Sequence, residues 1–101
     1  MFLASQLSVD LKTNILISGN IKQQTEQSLN NIKFLLELSG SSMEAIVKVN
    51  IYMRDVEKDF RDMNEIYKDY FVAGEEPARV TVQATSPLDG IDIEIDAIVF
   101  C

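Results

Sequence analysis

The sequence predicts an α+β fold in which two helices cover one face of a mixed β-sheet. Apolar residues recur at helical spacing in two segments of the chain. In the segments between and after them, apolar and polar residues alternate with the period of a strand. A chain of 101 residues has room for one core, so we expect a single domain over residues 1–101.

The first half of the chain supplies a strand and a long helix. Residues 14–18 form an apolar run that Gly19 stops, which predicts a buried strand of the sheet. An apolar stripe then predicts a helix over residues 21–38, and Gly40 is a suitable residue to end it. We expect an additional edge strand within residues 3–10.

Alternation predicts three further strands at residues 45–53, 76–82 and 91–98. A second helix is predicted over residues 57–71, from an apolar stripe that includes Phe60 and Tyr67. The two helices cover one face of the sheet only. The other face includes Tyr52, Ile98 and Phe100, which is more apolar area than a monomer normally leaves in water. We therefore expect this second face to be buried in a homo-oligomer.

The composition excludes several classes of chemistry. The chain has no histidine, which removes Ser-His-Asp and Cys-His catalysis and most zinc sites. Its net charge is −7, and its three arginines, Arg54, Arg61 and Arg79, do not cluster. Binding to nucleic acid or to an anionic membrane is therefore disfavoured, because both need clustered basic residues.

The chain has no features of a secreted or membrane protein. Its single cysteine, Cys101, permits no intrachain disulfide, which is typical of a reducing compartment. No apolar run is long enough to cross a bilayer, and the first residues lack the pattern of a signal peptide. We expect a cytoplasmic location, with the lumen of an organelle as the alternative.

The last two strands place reactive groups on their polar faces. Arg79 and Thr81 share one face of the first strand, and Asp92, Glu94 and Asp96 share one face of the second. If the two strands are neighbours, a guanidinium and a carboxylate line a common site. Such a site suits the binding of a small carboxylate and the activation of a water molecule.

Several segments, in collinear order, resemble the Rid family (YjgF or L-PSP type) of small trimeric proteins with a chorismate-mutase-like fold. The segments are Ile17-Ser18-Gly19-Asn20, Gln24-Thr25-Glu26-Gln27, Leu38-Ser39-Gly40-Ser41-Ser42, Met63-Asn64-Glu65-Ile66-Tyr67, Pro77-Ala78-Arg79 and Ile93-Glu94-Ile95-Asp96-Ala97. The resemblance covers nearly the whole chain. It implies a homotrimer with pockets between the subunits.

The resemblance also implies a function, the deamination of reactive 2-imino or enamine acids to 2-keto acids and ammonia. Arg79 would bind the substrate carboxylate, and Glu94 would position or deprotonate the attacking water. The remaining predicted substrate-binding residues are Ser18, Gly19, Asn64 and Thr81. The reaction requires no metal or cofactor, and the expected ligands are small 2-imino or 2-keto carboxylates.

Two other functions remain open at this point. Ala4-Ser5-Gln6 stands where family members usually have Gly-Pro-Tyr-Ser, which favours a trimer that binds small carboxylates or a protein without turnover. An endoribonuclease, the activity behind the L-PSP name, is disfavoured by the acidic charge. Glu94 also fits a solvated or interfacial acidic face, and Tyr67 is expected to be a packing or interface residue rather than an acid.

Overall fold

The computed structural model describes residues 2–6, 9–10, 15–16, 19–84 and 90–99, the first three ranges as backbone only. The strands are β1 (Phe2–Gln6), β2 (Val9–Asp10), β3 (Ile15–Leu16), β4 (Ile46–Met53), β5 (Ala78–Gln83) and β6 (Ile93–Val99). The helices are α1 (Ile21–Leu38) and α2 (Val56–Tyr67), and short 3-10 turns precede β4 and follow α2. Within the described residues, neither helix is long and apolar enough to cross a bilayer.

Four strands form the main sheet, in the order β1-β6-β4-β5. Strands β4 and β5 are parallel, and the other two pairings are antiparallel, so the sheet is mixed. This confirms the predicted α+β fold class with two helices on a mixed sheet. The expected strand at residues 14–18 is wrongly placed in the main sheet, because its described part, β3, pairs with β2 in a separate two-stranded sheet. The predicted extra strand, β1, supplies the edge of the main sheet instead.

Both helices begin at a well-defined cap. The Asn20 side chain accepts a hydrogen bond from the Gln23 backbone, and the Gln23 side chain accepts one from the Asn20 backbone, which fixes the start of α1. Gly40, with φ 81°, follows its end. The Asp55 side chain caps α2. This second helix is shorter than predicted because residues 68–70 tighten into a 3-10 turn.

The hydrophobic core lies between the helices and one face of the sheet. Strand β4 contributes Val49, Ile51 and Met53, and β6 contributes alternate residues from Ile93 to Val99. The helices contribute their buried stripes, which consist of Ile21, Leu29, Ile32 and Leu36 from α1 and of Met63 and Tyr67 from α2. The core therefore determines which residues of each strand face the helices.

The opposite face of the sheet has no helix over it among the described residues. Val80 and Val82 are 44% and 40% exposed there, beside Asn50 and Tyr52 of β4. Asp96 is nevertheless 5% exposed, because Asn50 and Tyr52 donate hydrogen bonds to its carboxylate at 2.8 and 3.1 Å. We call this surface the open face. It is the second face of the prediction, although Phe100 lies outside the described residues.

One buried amide ties the start of α1 to the start of β6. Gln24 is 1% exposed, and its Nε2 donates to the carbonyl oxygens of Gly19 and Gly90 at 2.9 and 3.0 Å. Its Oε1 accepts from the Asp92 backbone at 2.8 Å. These bonds satisfy backbone groups from two segments that are distant in sequence.

We expect the substitution Gln24→Ala to lower the free energy of unfolding by about 3 kcal/mol, because it leaves the Asp92 amide and two carbonyl groups without their partner. Urea denaturation followed by circular dichroism measures the change. Lys33→Ala, at an exposed position of the same helix, is the control and should change stability by less than about 0.5 kcal/mol. Equal effects of the two substitutions would contradict this role of Gln24.

Candidate functional site

Arg79 lies on β5, an edge strand of the sheet, with its side chain on the face covered by the helices. It is in register with Val49, a core residue of β4. Its Nη1 donates a 2.7 Å hydrogen bond to Oδ1 of Asn64. Its guanidinium carbon lies 4.7 Å from the centre of the Tyr67 ring and 5.4 Å from that of Phe60. The cation is thus held by one amide and two aromatic rings.

The three residues that contact Arg79 come from one face of α2. Phe60, Asn64 and Tyr67 are separated by four and then three residues, the spacing that aligns side chains along a helix. Cation–π contacts of this kind contribute about 0.5–2 kcal/mol each, depending on burial. Asn64 accepts a hydrogen bond from one N–H of the Arg79 guanidinium, and among the described residues no other acceptor binds this guanidinium. The remaining N–H groups of Arg79 are therefore available to a ligand.

Two buried hydroxyl groups near Arg79 lack a hydrogen-bond partner among the described residues. They are Oγ1 of Thr81, two residues further along the same face of β5, and the hydroxyl of Tyr67. Buried hydroxyls in native proteins are normally paired, so both of these groups are free to donate a hydrogen bond to a bound molecule. Burial raises the pKa of Tyr67 to about 12, although the nearby Arg79 charge opposes this rise. Tyr67 therefore remains a neutral hydrogen-bond donor at physiological pH. We call these five residues, Phe60, Asn64, Tyr67, Arg79 and Thr81, the Arg79 cluster.

Glu94 does not join the Arg79 cluster within one chain. Strand β4 lies between β5 and β6, so the condition for a common site within one chain, that the last two strands are neighbours, is not met. Moreover, Glu94 is in register with Tyr52 on the open face, whereas Arg79 faces the helices. The physical reason is that β4, α2 and β5 form a parallel crossover unit, after which β6 pairs with the free side of β4.

The other predicted site residues divide into three groups. Asn64 and Thr81 belong to the Arg79 cluster, although the hydrogen bond of Asn64 goes to Arg79 itself. Gly19 is exposed, and its carbonyl is held by Gln24 beside Gly90, with no described hydrogen bond to the cluster. Ser18 lies outside the described residues.

Sequence reasoning missed Phe60 and Tyr67 as site residues. Their spacing around Asn64 on a predicted helix was the available signal, but the same spacing also describes an ordinary core stripe. Among the described residues, no group of three or more potential ligand side chains converges in a way that could hold a metal ion.

These features define a class of α+β protein in which two helices cover a mixed sheet and the second helix holds an arginine beneath it. The sequence matches the family described as Endoribonuclease L-PSP over residues 1–101. The chain belongs to this family, which is the Rid (YjgF/L-PSP) family that its motifs resemble.

Named relatives agree with this assignment. A RutC family protein from Pyrococcus horikoshii is 44% identical over 101 residues, which cover 99% of this chain and 78% of the relative. A 2-iminobutanoate/2-iminopropanoate deaminase from Dermatophagoides farinae is 33% identical over 99 residues, covering 98% and 76% of the two chains. The crystal structure of E. coli TdcF with bound serine superposes with a TM-score of 0.85 at 29% identity, covering 97% and 77%.

We expect Tyr67 and Tyr70 of the folded protein to ionise well above pH 10. Burial raises the pKa of Tyr67 and of Tyr70 to about 12, against a model-compound value of 10.0. Because the folded pKa exceeds the unfolded one, these groups contribute stability that is complete below pH 10 and is lost as the pH rises towards 12. Tyrosinate absorbance and circular dichroism, recorded during one alkaline titration, test this.

Tyr67→Phe is the matched variant, since it keeps the ring beneath Arg79 and removes the titrating hydroxyl. Its stability should decline less steeply with pH in that window. Ionisation of Tyr67 near pH 10 in a protein that is still folded would contradict the expected burial.

Proposed function

We propose that this protein hydrolyses reactive 2-imino or enamine acids, of the 2-iminopropanoate and 2-iminobutanoate type, to 2-keto acids and ammonia. The observation on which the proposal depends is the Arg79 cluster, which combines a fixed guanidinium with unpaired buried hydroxyls. Membership of the family and the named deaminase among the relatives agree with it.

The substrate carboxylate would bind to Arg79. A guanidinium pairs with a carboxylate through two parallel hydrogen bonds, and Asn64 and the two rings hold its plane in place before the substrate arrives. The hydroxyls of Thr81 and Tyr67 are then available as further donors to the carboxylate. Such an arrangement loses little conformational freedom on binding, because the aromatic rings and Asn64 already restrict Arg79.

The reaction needs few catalytic groups. Water adds to C2 of the protonated imine, and its oxygen loses one proton to a base, for which we propose Glu94. The resulting carbinolamine loses its nitrogen as ammonia after a proton returns to that nitrogen. The remaining hydroxyl proton passes to the Glu94 carboxylate as the C2–O bond becomes the carbonyl of the 2-keto acid. An enamine substrate first tautomerises to the imine. A protonated imine is already electrophilic, so orientation and modest activation of the water suffice.

Arg79 and Glu94 would have to come from two copies of the chain. They lie on opposite faces of the sheet and on strands separated by β4, two strand spacings or about 10 Å apart. Contact through the open face would also cover Val80 and Val82. We therefore propose an oligomer with sites between subunits, and a homotrimer is the form that the family resemblance implies.

Two alternatives lead to different results. An endoribonuclease agrees with the description of the family, but the net charge of −7 and the single arginine of the cluster oppose binding to a phosphate backbone. A trimer that binds small carboxylates without turnover uses the same Arg79 cluster and lacks only the catalytic step.

Three expectations from the sequence stay predictions. They are the place of Ala4-Ser5-Gln6 at the position of Gly-Pro-Tyr-Ser, the cytoplasmic location and the single domain.

We expect Arg79→Ala to reduce kcat/KM for freshly generated 2-iminobutanoate by about 100-fold or more. The loss corresponds to two charge-assisted hydrogen bonds, or about 3 kcal/mol. The imine is produced in the cuvette by a dehydratase, and release of 2-ketobutyrate is followed above the buffer rate. Arg61→Ala is the control, because it removes the same charge from an exposed position of α2.

An Arg79→Ala protein that is folded and fully active would contradict the proposal. A wild-type protein that binds 2-ketobutyrate through Arg79 but does not accelerate its formation would replace the deaminase with the binding trimer. RNA cleavage that is lost in Arg79→Ala would instead support the endoribonuclease.

A further inference from the structure

A second concave surface lies away from the Arg79 cluster. It is a groove of about 920 Å³ between the end of α1, the 3-10 turn before β4 and the segment after α2. None of the five residues of the Arg79 cluster lines it. Its volume lies within the range of pockets that bind small organic molecules. We call it the acidic groove, for the charges described below.

The apolar lining of the acidic groove includes Met43, Ile46, Tyr70 and Phe71. Both aromatic side chains, Tyr70 and Phe71, are held by contacts with residues that do not line the groove. The Tyr70 hydroxyl donates to Oδ1 of Asn30 at 2.7 Å, and the Phe71 ring packs against that of Tyr67 at 4.8 Å between centres. Fixed rings offer an apolar and partly negative surface to a ligand without a large entropic cost.

The charged lining of the groove is almost entirely acidic. Glu37, Glu44, Asp69 and Glu75 line it, against one cation, Lys33. Within the described part of the chain, none of these four carboxylates takes part in an ion pair. Carboxylates around an aromatic floor complement a ligand that has a positive charge and an apolar body, and they repel an anion.

We propose that the acidic groove binds an amphipathic organic cation, an ammonium group attached to an apolar body of about one aromatic ring in size. The ammonium group would lie among the carboxylates, and the apolar body would contact Phe71 and Met43. This specificity is opposite in sign to that of the Arg79 cluster. The proposal is therefore independent of the deaminase, since either one can fail without the other.

The test compares three probes of similar size and different charge, namely 2-phenylethylammonium, 2-phenylethanol and 3-phenylpropanoate. Each is titrated into the folded wild-type protein, and amide chemical shifts are followed by NMR. We expect saturable shifts at residues of the acidic groove with the cation. The neutral alcohol should bind about tenfold more weakly, and the anion should leave the groove unchanged.

Variants then separate the groove from the overall acidic charge. The double substitution Glu44→Gln and Glu75→Gln should weaken binding of the cation about tenfold. The control, Glu57→Gln with Asp62→Asn, removes the same charge from α2 outside the groove and should leave the affinity within about twofold.

Equal binding of the cation and the alcohol, equal effects of the two double variants, or the absence of saturable shifts would each overturn the proposal. The proposal would also be overturned if the amide chemical shifts of the groove residues changed with the protein concentration and not with the probe concentration. Such a result would show that a second copy of the chain covers the groove.

Discussion

The parallel crossover from β4 through α2 to β5 is the constraint on which the candidate site depends. Parallel strands cannot be joined by a tight turn, so the chain must return over the face of the sheet, and α2 makes that return. The helix then lies over the edge strand that follows it. Because Arg79 is in register with the core residue Val49, it faces α2 and meets Phe60, Asn64 and Tyr67.

The same topology separates the two groups that the proposed chemistry needs. After β5, the chain crosses to the other side of β4, and β6 places Ile93 and Ile95 in the core. Alternation along the strand then forces Glu94 onto the open face. A single chain therefore presents the proposed carboxylate anchor, Arg79, on one face and the candidate base, Glu94, on the other. Assembly through the open face would both bury Val80 and Val82 and bring Glu94 to a neighbouring copy.

Much of this fold could be predicted from local sequence signals. Helix α1 spans Ile21–Leu38, as its apolar stripe and Gly40 predict. Alternation predicts which residues of β5 share a face, so Arg79 and Thr81 were correctly placed together. It did not predict that this polar face meets the helices while Val80 and Val82 face away from them. In contrast, strand order is a long-range property. Neither the position of β4 between β5 and β6 nor the separate pairing of β3 with β2 has a local signal.

The site was less predictable than the fold for a related reason. Arg79 was found from its place on a predicted strand and from the resemblance of its motif to a known family, but its contacts required knowledge of which helix lies over β5. Phe60 and Tyr67 have the spacing of core residues, and only the structure shows that their rings hold a guanidinium. The acidic groove combines residues from three separate parts of the chain, so no single stretch of sequence indicates it.

Subunit mixing tests the central claim, a site shared between two copies, most directly. Two variants, Arg79→Ala and Glu94→Gln, are each expected to be inactive as a deaminase. They are unfolded together in equal amounts, refolded and assayed against each variant refolded alone. If the two residues come from different copies of a trimer, random assembly restores an intact pair in about a quarter of the sites, and activity returns to that level. A mixture as inactive as its two components would contradict the account.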